Sequence, residues 1–213
     1  MESIVYLTRH GETAWNLEKR LQGWGDSPLT SAGIKNAENL KMRMEKLDID
    51  VIYTSTSKRA VVTAEILRGE KNIPIVRKEG LKEMGFGKWE GLKWDEIEKS
   101  EKYSKQLYNL YNHPEKYVPF EGETLSEFSK RTRNTIDEIL SEGKGKKILI
   151  ITHGITMKMI MSIFKGISPE EAIKWDVVGQ TSLTKIVYKE GKTYIEFEND
   201  TSHYESDYVR AGW

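Results

Sequence analysis

Two periodicities alternate along the chain. Short runs rich in β-branched residues at 3–8, 49–54, 73–77, 147–152, 181–188 and 193–198 predict strands. Between them apolar residues recur at helical spacing. Ile34, Ala37, Leu40, Met44 and Leu47 follow Thr30 or Ser31 as cap, and Ala60, Val61, Ala64 and Leu67 follow Ser57. Thr124-Leu125-Ser126-Glu127 has the form of a capping box and opens a helix whose stripe is Leu125, Phe128, Ile136 and Ile139. Such alternation predicts an α/β fold, a three-layer α/β/α arrangement around a mostly parallel six-stranded sheet. Parallel neighbours need crossovers, and the crossovers place helices on both faces. The last two strands flank Lys189-Glu190-Gly191-Lys192, which predicts a hairpin and therefore one antiparallel edge.

The strand pattern lapses between Leu92 and Gly122. That stretch carries Trp94, Tyr103, Tyr108, Tyr111, Tyr117 and Phe120 with Pro114 and Pro119. It reads as a helical and loop insertion, about 92–122, laid as a lid over the carboxyl ends of the strands in one domain spanning 1–213. The tail from Asp200 to Trp213 is expected to be loosely held.

Two of the predicted strands end on the same phrase: His10-Gly11-Glu12-Thr13 follows the first, and His153-Gly154-Ile155-Thr156 follows the fourth. In an open α/β sheet ligands bind at these carboxyl ends, and a glycine there lets the backbone turn sharply or approach a ligand. Arg9 beside His10 pairs a permanent fork-shaped cation with a titratable nitrogen nucleophile, a combination suited to a phosphoryl group. Asn16 and the turn at Gln22-Gly23-Trp24-Gly25 offer further donors. Arg59 falls in the first turn of the helix after the second strand, where uncapped N–H groups already favour an anion. Glu83, beside the glycine-rich Gly85-Phe86-Gly87, is the better proton donor of the pair Glu83 and Glu90; either, taken alone, reads as a surface charge. His113 and His203 read as surface residues.

Composition narrows the partners. Lys+Arg and Asp+Glu balance at 33 each, so no global field recruits nucleic acid or an anionic membrane. No apolar stretch approaches the length of a membrane span, and the first residues lack the basic and apolar order of a signal peptide, so a cytoplasmic setting is expected. With no cysteine in the chain, disulfides and thiolate chemistry are excluded, and a metal site would rest on His and carboxylate alone. No metal and no cofactor is expected.

The chain resembles the histidine phosphatase superfamily, in its phosphoglycerate mutase-like branch. The resemblance rests on Arg9 to Thr13 with Trp15-Asn16, Gln22-Gly23 with Asp26 to Thr30, Ser57 to Arg59, Glu83 with Gly87 to Gly91, and Thr152-His153-Gly154. It implies that His10 becomes a phosphohistidine. It also implies that Arg9, Arg59 and His153, with Gly154 beside it, complete the phosphate pocket, that Asn16, Gln22 and Gly23 contact phosphate or substrate, and that Glu83 is the acid/base. On this reading His10 attacks as the neutral base while His153 serves as a charged partner. Two arginines and an imidazolium, each contributing roughly 4 kcal/mol at 4 Å before desolvation is subtracted, neutralise the phosphoryl oxygens without metal.

The expected activity is hydrolysis of a small phosphorylated metabolite, near the α-ribazole and broad-specificity phosphatases. A cofactor-dependent phosphoglycerate mutase is the alternative, and a non-catalytic regulatory module a distant third. Mutases of the family bring extra arginines in the insertion for a second phosphate, whereas here no arginine occurs between Arg77 and Arg131. The aromatics and lysines of the insertion suit one phosphate on an apolar or ring-bearing body. A homodimer contact through Trp213 and exposed tyrosines is left open.

Overall fold

A computed structural model describes residues 2–205. Its six strands are β1 (Glu2–Arg9), β2 (Val51–Ser55), β3 (Ile75–Lys78), β4 (Lys147–Thr152), β5 (Leu183–Lys189) and β6 (Lys192–Asp200). They form one sheet in the order β3-β2-β4-β1-β5-β6. The four strands from β3 to β1 run parallel, and β5 and β6 add an antiparallel hairpin at the β1 side. This is the mixed, mostly parallel sheet that the alternation predicts.

Position in the sheet explains each strand's composition. Central β4 is covered on both faces, and Ile148, Leu149, Ile150 and Ile151 are all buried. A strand buried on both faces must be apolar throughout, and each such side chain contributes about 1.5–3 kcal/mol of burial. Edge strand β6 alternates exposed with half-buried residues instead.

Among the described residues eight α-helices surround the sheet: α1 (Ala14–Leu17), α2 (Ser31–Arg43), α3 (Lys58–Arg68), α4 (Trp94–Lys99), α5 (Ser104–Asn112), α6 (Leu125–Glu142), α7 (Gly154–Lys165) and α8 (Pro169–Ala172). Alternate strand residues face opposite layers. Tyr6, Ile52, Leu149 and Ile151 pack with Leu40 of α2 and Ala60, Ala64 and Leu67 of α3. Val5, Leu7, Ile148 and Ile150 pack with Ile136 and Ile139 of α6 and Met157, Ile160 and Phe164 of α7.

Capping follows the sequence, with two differences. Thr30 caps α2 by accepting from the Gly33 N–H, and Thr124 with Glu127 forms the reciprocal box at α6. Ser57 stands at the start of α3 but makes no capping bond; its hydroxyl turns to Ser55. The α2 helix stops at Met44, leaving Leu47 beyond it as a packed loop residue.

The insertion folds as a second core. Trp89, Ile97, Leu107, Leu110 and Tyr117 are buried against Phe128 of α6 and Ile155 and Met159 of α7. The tail is tied down as far as it is described. Arg43 pairs with Asp200 at 2.6 Å, and the Tyr204 hydroxyl donates to the Gln180 carbonyl. Trp213, named for a dimer contact, lies outside the described residues. Among the described residues no helix is long and apolar enough to cross a membrane.

Helix α2 meets the turn after β1 backbone to backbone. A Cβ on Gly33 would strike the carbonyl oxygen of Glu12 and lie 2.7 Å from its nitrogen, and one on Gly11 would lie 2.8 Å from the Gly33 carbonyl oxygen. Gly33→Ala should therefore lower stability by about 1–3 kcal/mol in urea unfolding, as overpacking does. Lys35→Ala, on the solvent side of the same helix, should cost less than about 0.5 kcal/mol. Equal effects would contradict this packing.

Candidate active site

Helices α2 and α3, which follow β1 and β2, cover one face of the sheet, while α7, which follows β4, covers the other. Loops leaving adjacent strand ends toward opposite faces open a crevice between them, the place where ligands bind in open α/β sheets. Parallel pairing of β1 with β4 sets Arg9 opposite Thr152, and the ladder runs one bond further, from the His10 N–H to the Thr152 carbonyl at 2.9 Å. The two histidines that follow these strands come together, with ring centroids 5.2 Å apart.

The His10 ring is almost fully buried and oriented by its own turn. Nδ1 lies 2.7 Å from the Gly11 carbonyl oxygen. A carbonyl can only accept, so Nδ1 carries the proton and Nε2 keeps its lone pair for the cleft. Burial, then the charges of Arg59 and Arg9, hold the imidazole well below the usual histidine range. The neutral nucleophile that the sequence predicts is the form this environment favours.

His153 departs from the expectation of a charged partner. Arg59 Nε donates to its Nδ1 at 3.2 Å, and guanidinium cannot accept. The remaining nitrogen, Nε2, lies 2.7 Å from the Ser55 hydroxyl and donates to it. Both ring positions are thus spoken for by a neutral tautomer. Burial, Arg59, His10 and Arg9 together push this imidazole well below its ordinary range.

Arg59 is 1% exposed and serves the protein before any ligand. Besides His153 it donates to the Gly25 carbonyl and the Asp26 carboxylate through Nη1 and to the Gly23 carbonyl through Nη2. Burial lowers its pKa, and Asp26 raises it. The loop 23–26 is therefore built around the guanidinium, which leaves one Nη2 hydrogen for a ligand. Glu90, read from sequence as a surface charge, closes the same loop, accepting from the Trp24, Gly25 and Phe86 N–H groups at 3.0, 2.6 and 3.0 Å. Gly23 is glycine because a Cβ there would run into Glu90 and sit 2.7 Å from the Met84 carbonyl oxygen. Arg9 donates to the Val178 carbonyl at 3.0 Å, and Gly154 leaves room for Val177, whose Cγ1 would lie 2.6 Å from a Cβ there.

Glu83 sits at the amino end of α7. Its two oxygens accept from the Ile155 and Thr156 N–H groups at 3.0 Å each, and Oε1 also accepts from the Thr156 hydroxyl and the Met84 N–H. A helix start is where uncapped N–H groups and the positive dipole end favour an anion. Arg131 fixes the backbone behind it, donating to the Glu83, Lys82 and Gly80 carbonyls. Asn16 turns Oδ1 back to Thr13, so its amide NH2 is the group left for the cleft.

Gln22 points its NH2 at Thr13 and Ser27, 2.7 Å from each, and Oε1 is buried without a partner. The opposite amide orientation would let Oε1 accept from the Ser27 hydroxyl and give the NH2 to a ligand.

The cleft brings Arg9, His10, Asn16, Gln22, Glu83 and Gly154 together; His153, Arg59 and Gly23 stand behind this wall. The lining is completed by Lys19, Arg20, Phe86, Ile155 and Val177. None of these was marked as a site residue by sequence, and no residue of 92–122 lines it. The insertion aromatics are spent on their own core: Tyr103, Tyr117 and Phe120 pack around Trp89. Among the described residues no group of three or more His, Asp or Glu is placed to hold a metal ion.

The family model of the histidine phosphatase superfamily (branch 1) matches residues 5–201. A Yersinia pestis protein named "Probable phosphoglycerate mutase GpmB" is 32% identical over 205 residues, 93% of this chain and 94% of that protein. Among solved structures, Bacillus stearothermophilus YhfR superposes with a TM-score of 0.89 at 39% identity, covering 95% of this chain and all of the other. The alpha-ribazole phosphatase of Shigella flexneri gives 0.84 at 27% identity, over 93% and 96%.

The lowered pKa values of His10 and His153 carry a stability consequence. Below the ordinary value of 6.5, the unfolded chain binds protons that the folded site refuses. Stability is therefore full above that pH and falls as pH drops toward the lowered values, by up to about 1.4 kcal/mol per pH unit for each histidine. In phosphate-free buffer Tm should fall between about pH 7 and pH 5, and fall less steeply in His10→Gln. Identical slopes would contradict the assignment.

Proposed function

The chain belongs to the histidine phosphatase superfamily, and from that premise we propose that it hydrolyses small phosphomonoesters through a phosphohistidine on His10. The observation that carries the reading is the His10 ring, with Nδ1 bonded to the Gly11 carbonyl and Nε2 turned into a cleft beside two arginines. Nε2 attacks phosphorus in line, and the bond to the leaving oxygen breaks. Glu83 receives the proton of a substrate bound as its monoanion and passes it to the leaving alkoxide. It then takes one from water as the hydroxide attacks the phosphohistidine, and returns it to the departing phosphate, so that both groups regain their starting forms. Arg9, the Asn16 amide and the remaining Arg59 hydrogen face the phosphoryl oxygens.

Hydrolysis is favoured over mutase activity because a mutase must hold a second phosphate while its intermediate turns over. Beyond Arg9 and Arg59, which serve the one phosphate, the lining among the described residues offers Arg20 alone, and Arg20 is already paired with Glu18. The likeness to named phosphatases at high coverage supports the same reading; the likeness to a named mutase keeps the second activity as the competing outcome.

The expected result is release of p-nitrophenol from p-nitrophenyl phosphate at an undiminished rate in EDTA. His10→Ala should abolish turnover, and Glu83→Gln should lower kcat by about 10²–10⁴. Interconversion of 2- and 3-phosphoglycerate with no phosphate released from any monoester would overturn the phosphatase assignment.

A further inference from the structure

From Gly154 to Phe164 helix α7 carries one charged residue, Lys158, and that residue is 5% exposed. Its Nζ donates to the Ile173 carbonyl at 2.9 Å and lies 5.5 Å from the centre of the Tyr111 ring of α5. Among the described residues no carboxylate reaches it at ion-pair distance; Glu83, Asp176 and Arg9 act on it from further off. An ammonium withdrawn from water onto one carbonyl is costly to keep where methionines occupy the positions on either side. The phosphoryl chemistry makes no use of it.

What Lys158 holds supplies the reason. Residues 176–179 form neither helix nor strand, yet they give Val177 to the cleft lining and the Val178 carbonyl to Arg9 Nη1. Gly154 and Lys158, four residues apart, lie on one face of α7. The chain from Ile173 to Val177 follows that face: Ile173 is tied at Lys158, and Val177 packs where a Cβ on Gly154 would stand. From this arrangement we infer that Lys158 is a positioning residue, holding segment 173–178 against α7 and thereby setting the Arg9 guanidinium toward the phosphate. The inference rests on the proposed hydrolase reading in taking a phosphoryl group as the ligand of Arg9. Burial lowers the Lys158 pKa to about 8, opposed by Glu83 from the loop after β3 and by Asp176 of the segment, and reinforced by Arg9 of β1. The Tyr111 phenol, pushed up by burial and then by Glu83, keeps its proton. The tie therefore weakens as pH rises through about 8.

The test is binding of tungstate, a tetrahedral dianion whose charge is constant above neutral pH, followed by calorimetry. Lys158→Met should weaken binding about tenfold near neutral pH, and by less than about twofold in an Arg9→Met background, because the effect passes through Arg9. In the intact enzyme affinity should fall, by up to the same factor, as pH rises through about 8. Lys158→Arg, whose guanidinium does not titrate, should restore most of the affinity and hold it to about pH 9.5. Losses that multiply in the double variant would show that Lys158 does not act through Arg9 and would overturn the inference. Equal pH profiles for the intact enzyme and Lys158→Arg would overturn it as well, and that comparison stands even where Lys158→Met does not fold. No phosphate released from any monoester, with tungstate binding and its coupling intact, would remove the hydrolase reading and leave the role of Lys158 in place.

Discussion

Parallel pairing of β1 with β4, in the register that sets Arg9 opposite Thr152, is the constraint on which the site depends. A slip of one residue would turn every side chain of β1 to the other layer. Val5 and Leu7 would leave the α6–α7 core, and Tyr6 would leave the α2–α3 core. Burial on both faces therefore fixes the register far more strongly than the strand's own hydrogen bonds do. The neighbouring strand ends then bring His10 beside His153 and send their following loops to opposite faces. The pocket is a by-product of how the core packs.

Arg59 organises the second half of the site in the same way. A guanidinium withdrawn from water must find acceptors, and here the Gly23 and Gly25 carbonyls, Asp26 and the His153 ring supply them. Loop 23–26 is shaped by that demand and held from its other side by Glu90. The proposed phosphate pocket is thus held in shape by the protein's own bonds, the condition for donors that need no reorganisation during reaction.

The sheet and the main chemical groups were legible in sequence because they rest on local pattern. A run such as Ile148 to Ile151 can only be a strand covered on both sides, and His10, His153, Arg59 and Glu83 stand where strand ends meet helix starts. What could not be read depends on partners far away in the chain. The neutral tautomer of His153 follows from Arg59 and Ser55, and Glu90 acts on a loop 65 residues from it in sequence. The tyrosines of the insertion looked like a substrate wall, but Trp89 gave them a core of their own. Lys158 stands in sequence as the one charge between Gly154 and Phe164, but its bond to Ile173 exists only in the fold.

The central claim is that Nε2 of His10, freed by the Nδ1 bond to Gly11, is the atom that takes the phosphoryl group. Rapid quenching of the enzyme with a phosphomonoester under alkaline conditions, followed by mass spectrometry and ³¹P NMR of the labelled peptide, tests it directly. The account predicts a phosphorylated peptide containing His10, with phosphorus on Nε2. Label on His153, on Nδ1 of His10, or full turnover with no phosphohistidine at any quench time would contradict it.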